Sequence, residues 1–123
     1  MTVAIGCDVV ALTEIEESIA AFGERFLRRV FTAGEIADCQ GTQRIERLAA
    51  RFAAKEAAIK ALAIVDAATP PREIEVVGAG GPPRLRLHGS MADRATENGW
   101  TSISVSLSHS SCHAVAVVVA ELG

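Results

Sequence analysis

Seven alanines fall between Ala49 and Ala61, in a stretch that contains RFAAKEAAIKAL (Arg51 to Leu62) and four of its charges. Alanine is the best helix former, so the stretch predicts one long helix over roughly Thr42 to Ile64. So many small side chains also leave the helix thin on several sides, where other backbones can come close. On a wheel of about 100° per residue, Leu48, Phe52, Ile59 and Leu62 share one face, and Lys55 projects from its middle. Glu56 and Lys60 lie together along the edge of that face. A charge aimed into an apolar stripe is costly unless it is paired. Either Lys55 snorkels to water, or the face looks into a charged ligand.

The chain of 123 residues is long enough for one domain, 1–123, with a sizeable core but not for two lobes. Only 4% of residues are aromatic, so Ala, Val, Ile and Leu must fill the interior. No apolar run approaches the roughly 20 residues that span a bilayer, and the start MTVAIGCDVV lacks a signal-peptide pattern. Cys7, Cys39 and Cys112 are odd in number and lack metal spacing, and are expected to be buried, reduced thiols of a cytoplasmic protein. Charge is unevenly spread. Arg25 to Lys60 holds eight Lys/Arg against four Asp/Glu, while the remainder holds four against eleven. A basic segment on an acidic chain points to a small anionic partner, not to nucleic acid or membrane, or else to a solvated helix face.

The remaining elements read as follows. Val3 to Val10 is a buried strand broken by Asp8. TEIE (Thr13 to Glu16) is a capping box opening a helix towards Phe22, and Gly23 interrupts it before ERFLRRVF. TAGE (Thr32 to Glu35) repeats the box. After the long helix come strands at Glu73–Val77 and Arg84–His88, joined by the hairpin connection GAGGPP. A short helix, Ser90 to Asn98, precedes two final strands that turn at Ser110 to His113. The order β-α-α-α-β-β-α-β-β predicts an α+β domain with a mainly antiparallel sheet on the long central helix.

Four residues stand out chemically. Asp8 lies among apolar neighbours in AIGCDVVAL and needs a cation, a donor or a raised pKa, unless it only caps a turn. Asp8 and Glu56 from separate elements could hold Mg²⁺ with waters and phosphate oxygens. Lys60 is either an ordinary i,i+4 partner of Glu56 or a phosphate-binding ammonium beside a metal-binding carboxylate. His109 ends the strand SISVSLSH on the side of Ile103, Val105 and Leu107, as a hydrogen-bonded core residue or a reactive one. No HExxH, CxxC, P-loop or Ser-His-Asp order is present, and GAGGPP reads as a turn, not as a phosphate cradle.

In order along the chain, AIGCDVV, RFLRRVFTAGEIADC, RLAARFAAKEAAIKAL, REIEVV, GPPRLRLHG and SVSLSHSSCHAVAVVVAE resemble the holo-acyl-carrier-protein synthase family. These are the short 4′-phosphopantetheinyl transferases. The resemblance implies the fold of that family and transfer of the phosphopantetheine arm of coenzyme A to a serine of an apo carrier protein, of a fatty-acid, polyketide or peptide pathway, releasing 3′,5′-ADP. It implies Asp8 and Glu56 as ligands of Mg²⁺, with Mn²⁺ as the alternative. Lys60 is then the diphosphate contact, Arg44 and Arg51 are candidates for the 3′-phosphate, Lys55 belongs to the coenzyme site and supports it by pairing with a buried acid, and His109 reaches that site from the strand. Glu56, Lys60 and His109 make up the catalytic set, and the serine proton goes to a water at the metal or to Glu56. A homotrimer with sites between subunits is implied as well. Two stretches depart from the family. Glu14 stands where an Arg usually meets the carrier, leaving Arg25, Arg28 and Arg29 for that contact, and no glycine follows KAL before Gly78. The competing reading is a catalytically idle relative that binds coenzyme A or serves in assembly.

Overall fold

The computed structural model describes residues 2–78 and 80–123 of the chain. Strand β1 (Thr2–Ala11) passes through Asp8 without a break, because the main chain there stays in an antiparallel ladder opposite Ala116 of β5 (His113–Leu122). Only the Asp8 side chain therefore needs a partner. Nor is β1 buried on both sides. Gly6, Asp8 and Val10 face inward, whereas Ile5 is 66% and Val9 60% exposed on the opposite face. Strand β4 (Trp100–His109) flanks β5, giving a three-stranded sheet in the order β1-β5-β4. The short strands β2 (Ile74–Val77) and β3 (Arg84–Leu87) form a separate antiparallel pair. Their expected connection, Gly78 to Pro83, includes Ala79, which lies outside the described residues. Beside it, the Gly81 N–H donates to the Gly78 carbonyl at 3.0 Å.

The chain leaves β1 directly into α1 (Leu12–Phe22), and the Leu12 N–H donates to the Cys112 carbonyl at 2.9 Å. This early start puts Thr13 inside the helix, so the expected TEIE capping box does not form; Ala11 holds the cap position without a side-chain acceptor. Gly23, at φ 57°, separates α1 from α2 (Glu24–Val30). At α3 (Ala33–Asp38) the second box does form, with the Thr32 hydroxyl accepting from Glu35 N–H and the Glu35 carboxylate accepting from Thr32 N–H. The long helix α4 spans Arg44–Leu62, and α5 spans Gly89–Glu97. Among the described residues no helix is long and apolar enough to cross a membrane.

Helix α4 lies across the inner face of the three-stranded sheet. All seven of its alanines from Ala49 to Ala61 are buried, and the β5 residues facing them are Ala114, Ala116, Val118 and Ala120. Small side chains on both surfaces bring strand and helix close, and the closest point is Gly6. A Cβ added there would stand 1.9 Å from the Ala57 carbonyl oxygen and 2.9 Å from its carbon. Both are backbone atoms that cannot turn aside. Gly6→Ala is expected to lower stability in urea unfolding by about 2–3 kcal/mol, the scale of core overpacking. An unchanged midpoint would show that β1 can slide on α4.

Candidate functional site

The β1–α4 seam carries three of the residues singled out from the sequence. Two residues beyond Gly6 on the same face, Asp8 points at α4, where Lys60 Nζ donates to Asp8 Oδ1 at 2.9 Å and to the Cys7 carbonyl at 3.0 Å. Glu56 lies one helical turn before Lys60 and is half-buried. Burial raises its pKa above the usual carboxylate value, the negative charge of Asp8 raises it further, and Lys60 pulls the other way. On Lys60 the Asp8 hydrogen bond and charge raise the pKa. The seam thus gathers two carboxylates and one ammonium, which leaves it short of positive charge.

That shortage, and an all-oxygen donor set, fit a hard divalent cation. Among the described residues no hydrogen bond engages the Glu56 carboxylate, which leaves its oxygens free to coordinate. No group of three or more His, Cys, Asp or Glu is placed to hold a metal among these residues. Asp8 and Glu56 could serve as two ligands of such a cation, with the remaining positions left to water or to a bound diphosphate.

Lys55 makes the expected pair with a buried acid but is enclosed away from any coenzyme. Its side chain is 1% exposed, and its three N–H groups donate to Glu35 Oε1 (2.8 Å), the Pro71 carbonyl (2.9 Å) and the Ile74 carbonyl (2.6 Å). The ammonium also lies 5.6 Å from the centre of the Phe31 ring. With every donor used and no exposed surface, it does not face a coenzyme site. It ties α4 to α3 and to the chain entering β2, and it does pair with a buried acid, as the sequence required of a charge in that stripe. Burial lowers its pKa, with Glu35 acting against that.

Arg51 is half-buried and its Nε is enclosed without a hydrogen-bond partner among the described residues. Together with Arg47, Asp38, Gly78 and Gly80 it lines a polar pocket of about 240 Å³. Arg44, in the first turn of α4, is not part of that lining. Arg47 was missed in the sequence, although positions 44, 47 and 51 follow the i, i+3, i+7 ridge of one helix face. The glycine-rich turn, read as a connection, also forms one wall of this cationic pocket.

His109 is exposed at the end of β4, so it is not a core residue. It pairs with Ala114, which in turn faces Val10, so His109 stands two strands from β1. Within one chain the sheet keeps it about 10 Å to the side of that strand. The cysteines also divide: Cys39 is buried, and burial pushes its pKa up to about 11, whereas Cys7 and Cys112 are exposed. The basic cluster on α2 splits between two hollows. Arg25 and Arg29 border one formed with Phe22 and Phe26, while Arg28 borders another with Phe31 and Arg72.

The fold matches known proteins along most of its length. The profile of the 4′-phosphopantetheinyl transferase superfamily matches residues 4–118. The holo-[acyl-carrier-protein] synthase of Desulfovibrio desulfuricans is 44% identical over 123 residues, covering 98% of each chain. The crystal structure of the Neisseria meningitidis holo-[acyl-carrier-protein] synthase superposes with a TM-score of 0.85 at 33% identity, covering 96% of this chain and 97% of the other. The ACPS–CoA complex of Chronobacterium ammoniagenes gives 0.87 at 29% identity, covering 100% and 99%. The superfamily sets the class of transferase, and within it the chain belongs to the holo-[acyl-carrier-protein] synthase family.

Two outcomes separate scaffold from site. Lys55→Met leaves Glu35 buried without its counter-ion and is expected to cost about 3–5 kcal/mol in denaturant unfolding. Adding Glu35→Gln should restore part of that loss, which a ligand contact would not do. Glu56→Gln should raise the thermal midpoint at pH 7, where folding penalises the parent's charge. Because the folded carboxyl titrates above the ordinary 4.5, its unfavourable contribution sets in as pH rises through that raised value. The difference between variant and parent should therefore vanish below about pH 4. An equal or lower midpoint at pH 7 would contradict the charge shortage at the seam.

Proposed function

We propose that the Asp8–Glu56–Lys60 seam is the place where this chain performs the reaction of its family. The chain is a holo-[acyl-carrier-protein] synthase: it transfers the 4′-phosphopantetheine arm of coenzyme A to a serine of an acyl carrier protein. The observation that carries the assignment to the seam is the convergence of two carboxylates and an ammonium where β1 meets α4. Asp8 and Glu56 would hold the divalent cation, Mg²⁺ by the family's resemblance. Such an ion supplies positive charge that stabilises the diphosphate as its bond to the leaving group loosens. Lys60 neutralises the same diphosphate from the helix side. The serine oxygen forms the new bond to phosphorus while the bond to 3′,5′-ADP breaks. The serine proton has two acceptors at the seam, a water or the Glu56 carboxylate. The Arg47–Arg51 pocket suits a phosphate monoester, because two guanidinium side chains line it.

The other assignments rest on surfaces. Arg25 and Arg29 around the Phe22–Phe26 hollow suit an acidic, amphipathic carrier helix, while Glu14, Glu16 and Glu17 on exposed α1 would repel one. The outer sheet face, with Val3, Ile5, Val9 and Val117 exposed, suits burial against further copies in a trimer. A neighbouring copy would also give His109 a way to reach a site that its own β1 does not offer. Unpaired thiols on the surface suit a reducing cytoplasm.

Mass spectrometry of apo carriers incubated with CoA and Mg²⁺ tests this reading. A phosphopantetheine gain is expected, lost in Asp8→Ala, and about tenfold slower with the double variant Arg25→Glu/Arg29→Glu at unchanged CoA binding. Sedimentation should give about three times the 12.9 kDa chain mass. Coenzyme A binding without transfer to any carrier would favour an idle relative.

A further inference from the structure

Lys60 occupies the position from which an incoming cation would neutralise Asp8. Two hydrogen bonds hold it there, 2.9 Å to Asp8 Oδ1 and 3.0 Å to the Cys7 carbonyl, and its side chain is 57% exposed. Glu56 sits one turn away, half-buried, with no hydrogen-bond partner among the described residues. In the free protein the seam therefore carries two carboxylates and one ammonium, with no third acidic, histidine or cysteine ligand grouped with them among the described residues.

We infer that Lys60 is the resident counter-ion of the free enzyme, and that it must release Asp8 before a divalent cation binds, so that cation and diphosphate load together. This inference rests on the reading of Asp8 and Glu56 as cation ligands. Without a diphosphate, a divalent ion would have to displace the ammonium and then remain beside it, with two carboxylates facing three positive charges. A diphosphate changes both sides of that balance. Its oxygens complete the coordination that two carboxylates leave open, and its charge gives Lys60 a new partner. The flexible four-carbon stem of a lysine, more than half in water here, can make that turn without moving the helix. Affinity linkage is reciprocal, so the factor by which the coenzyme tightens the cation is also the factor by which the cation tightens the coenzyme.

Mn²⁺ binding, followed by electron paramagnetic resonance and calorimetry on the full chain, tests the inference. The parent should bind Mn²⁺ weakly alone and at least about tenfold more tightly with saturating CoA, a coupling of ordinary allosteric size. Lys60→Met should bind Mn²⁺ about tenfold more tightly than the parent when CoA is absent, and the gain on adding CoA should shrink. Lys60→Arg, which keeps the charge, should retain the coupling. Should Lys60→Met lose its folded circular dichroism, Lys60→Gln makes the same comparison while keeping a donor for Asp8. Equal Mn²⁺ affinity of the parent and the uncharged variant, or weaker binding by the variant, overturns the inference while leaving the site reading intact. The site reading itself fails if the parent takes up no more Mn²⁺ than Asp8→Ala, with CoA present.

Discussion

The approach of Gly6 to the Ala57 carbonyl sets the distance between β1 and α4, and the seam chemistry depends on that distance. Asp8 lies two residues further along the strand on the same face, and Glu56 and Lys60 flank Ala57 on the helix. A side chain at position 6 would push the two elements apart by the thickness of a methyl group. A hydrogen bond of 2.9 Å between Lys60 and Asp8 has no such margin. The alanines along α4 and β5 extend this near contact over the whole inner face, so that strand and helix meet as a rigid pair. Side chains on two rigid elements hold their geometry better than side chains on loops.

Two lysines five residues apart on one helix show how burial decides the use of a charge. Lys55 points into the interior, and it is satisfied there by one carboxylate and two carbonyls. Its partner Glu35 is further held by the N–H groups of Thr32 and Val76, so α3, α4 and β2 meet at a fully paired polar centre. Lys60 points to the rim, pairs with one carboxylate, and leaves a second one underneutralised. The first arrangement serves stability. The second keeps an electrostatic deficit open for a ligand, which is the arrangement expected of a reactive site.

The first two helices divide their charge. Glu14, Glu16 and Glu17 are exposed on α1, and Arg25, Arg28 and Arg29 are exposed on α2, on the two sides of the Gly23 bend. Charged groups at the rim of an interface govern partner choice more than raw affinity. An acidic first helix and a basic second one therefore present a partner with opposite charges on the two sides of one bend.

Much of the fold was legible because it rests on local rules. Alanine density marked α4, the Thr32–Glu35 box marked α3, and alternating serines marked β4. The Thr13 box failed because β1 leads straight into a helix that starts at Leu12, which places Thr13 inside the first turn. Asp8, Glu56 and Lys60 could be named from the sequence, since charges among apolar neighbours demand a reason. Arg47 left a trace in the spacing of 44, 47 and 51, but the wall formed by Gly78 and Gly80 left none, since a pocket between a helix and a distant turn has no period. That Lys55 required a partner followed from its place in an apolar stripe. Which partner, and whether that partner was a ligand or Glu35, depended on the packing of α3 against α4 across 20 residues of chain. Chain order specifies which groups need neutralising; only the folded arrangement of elements specifies what lies within 3 Å to neutralise them.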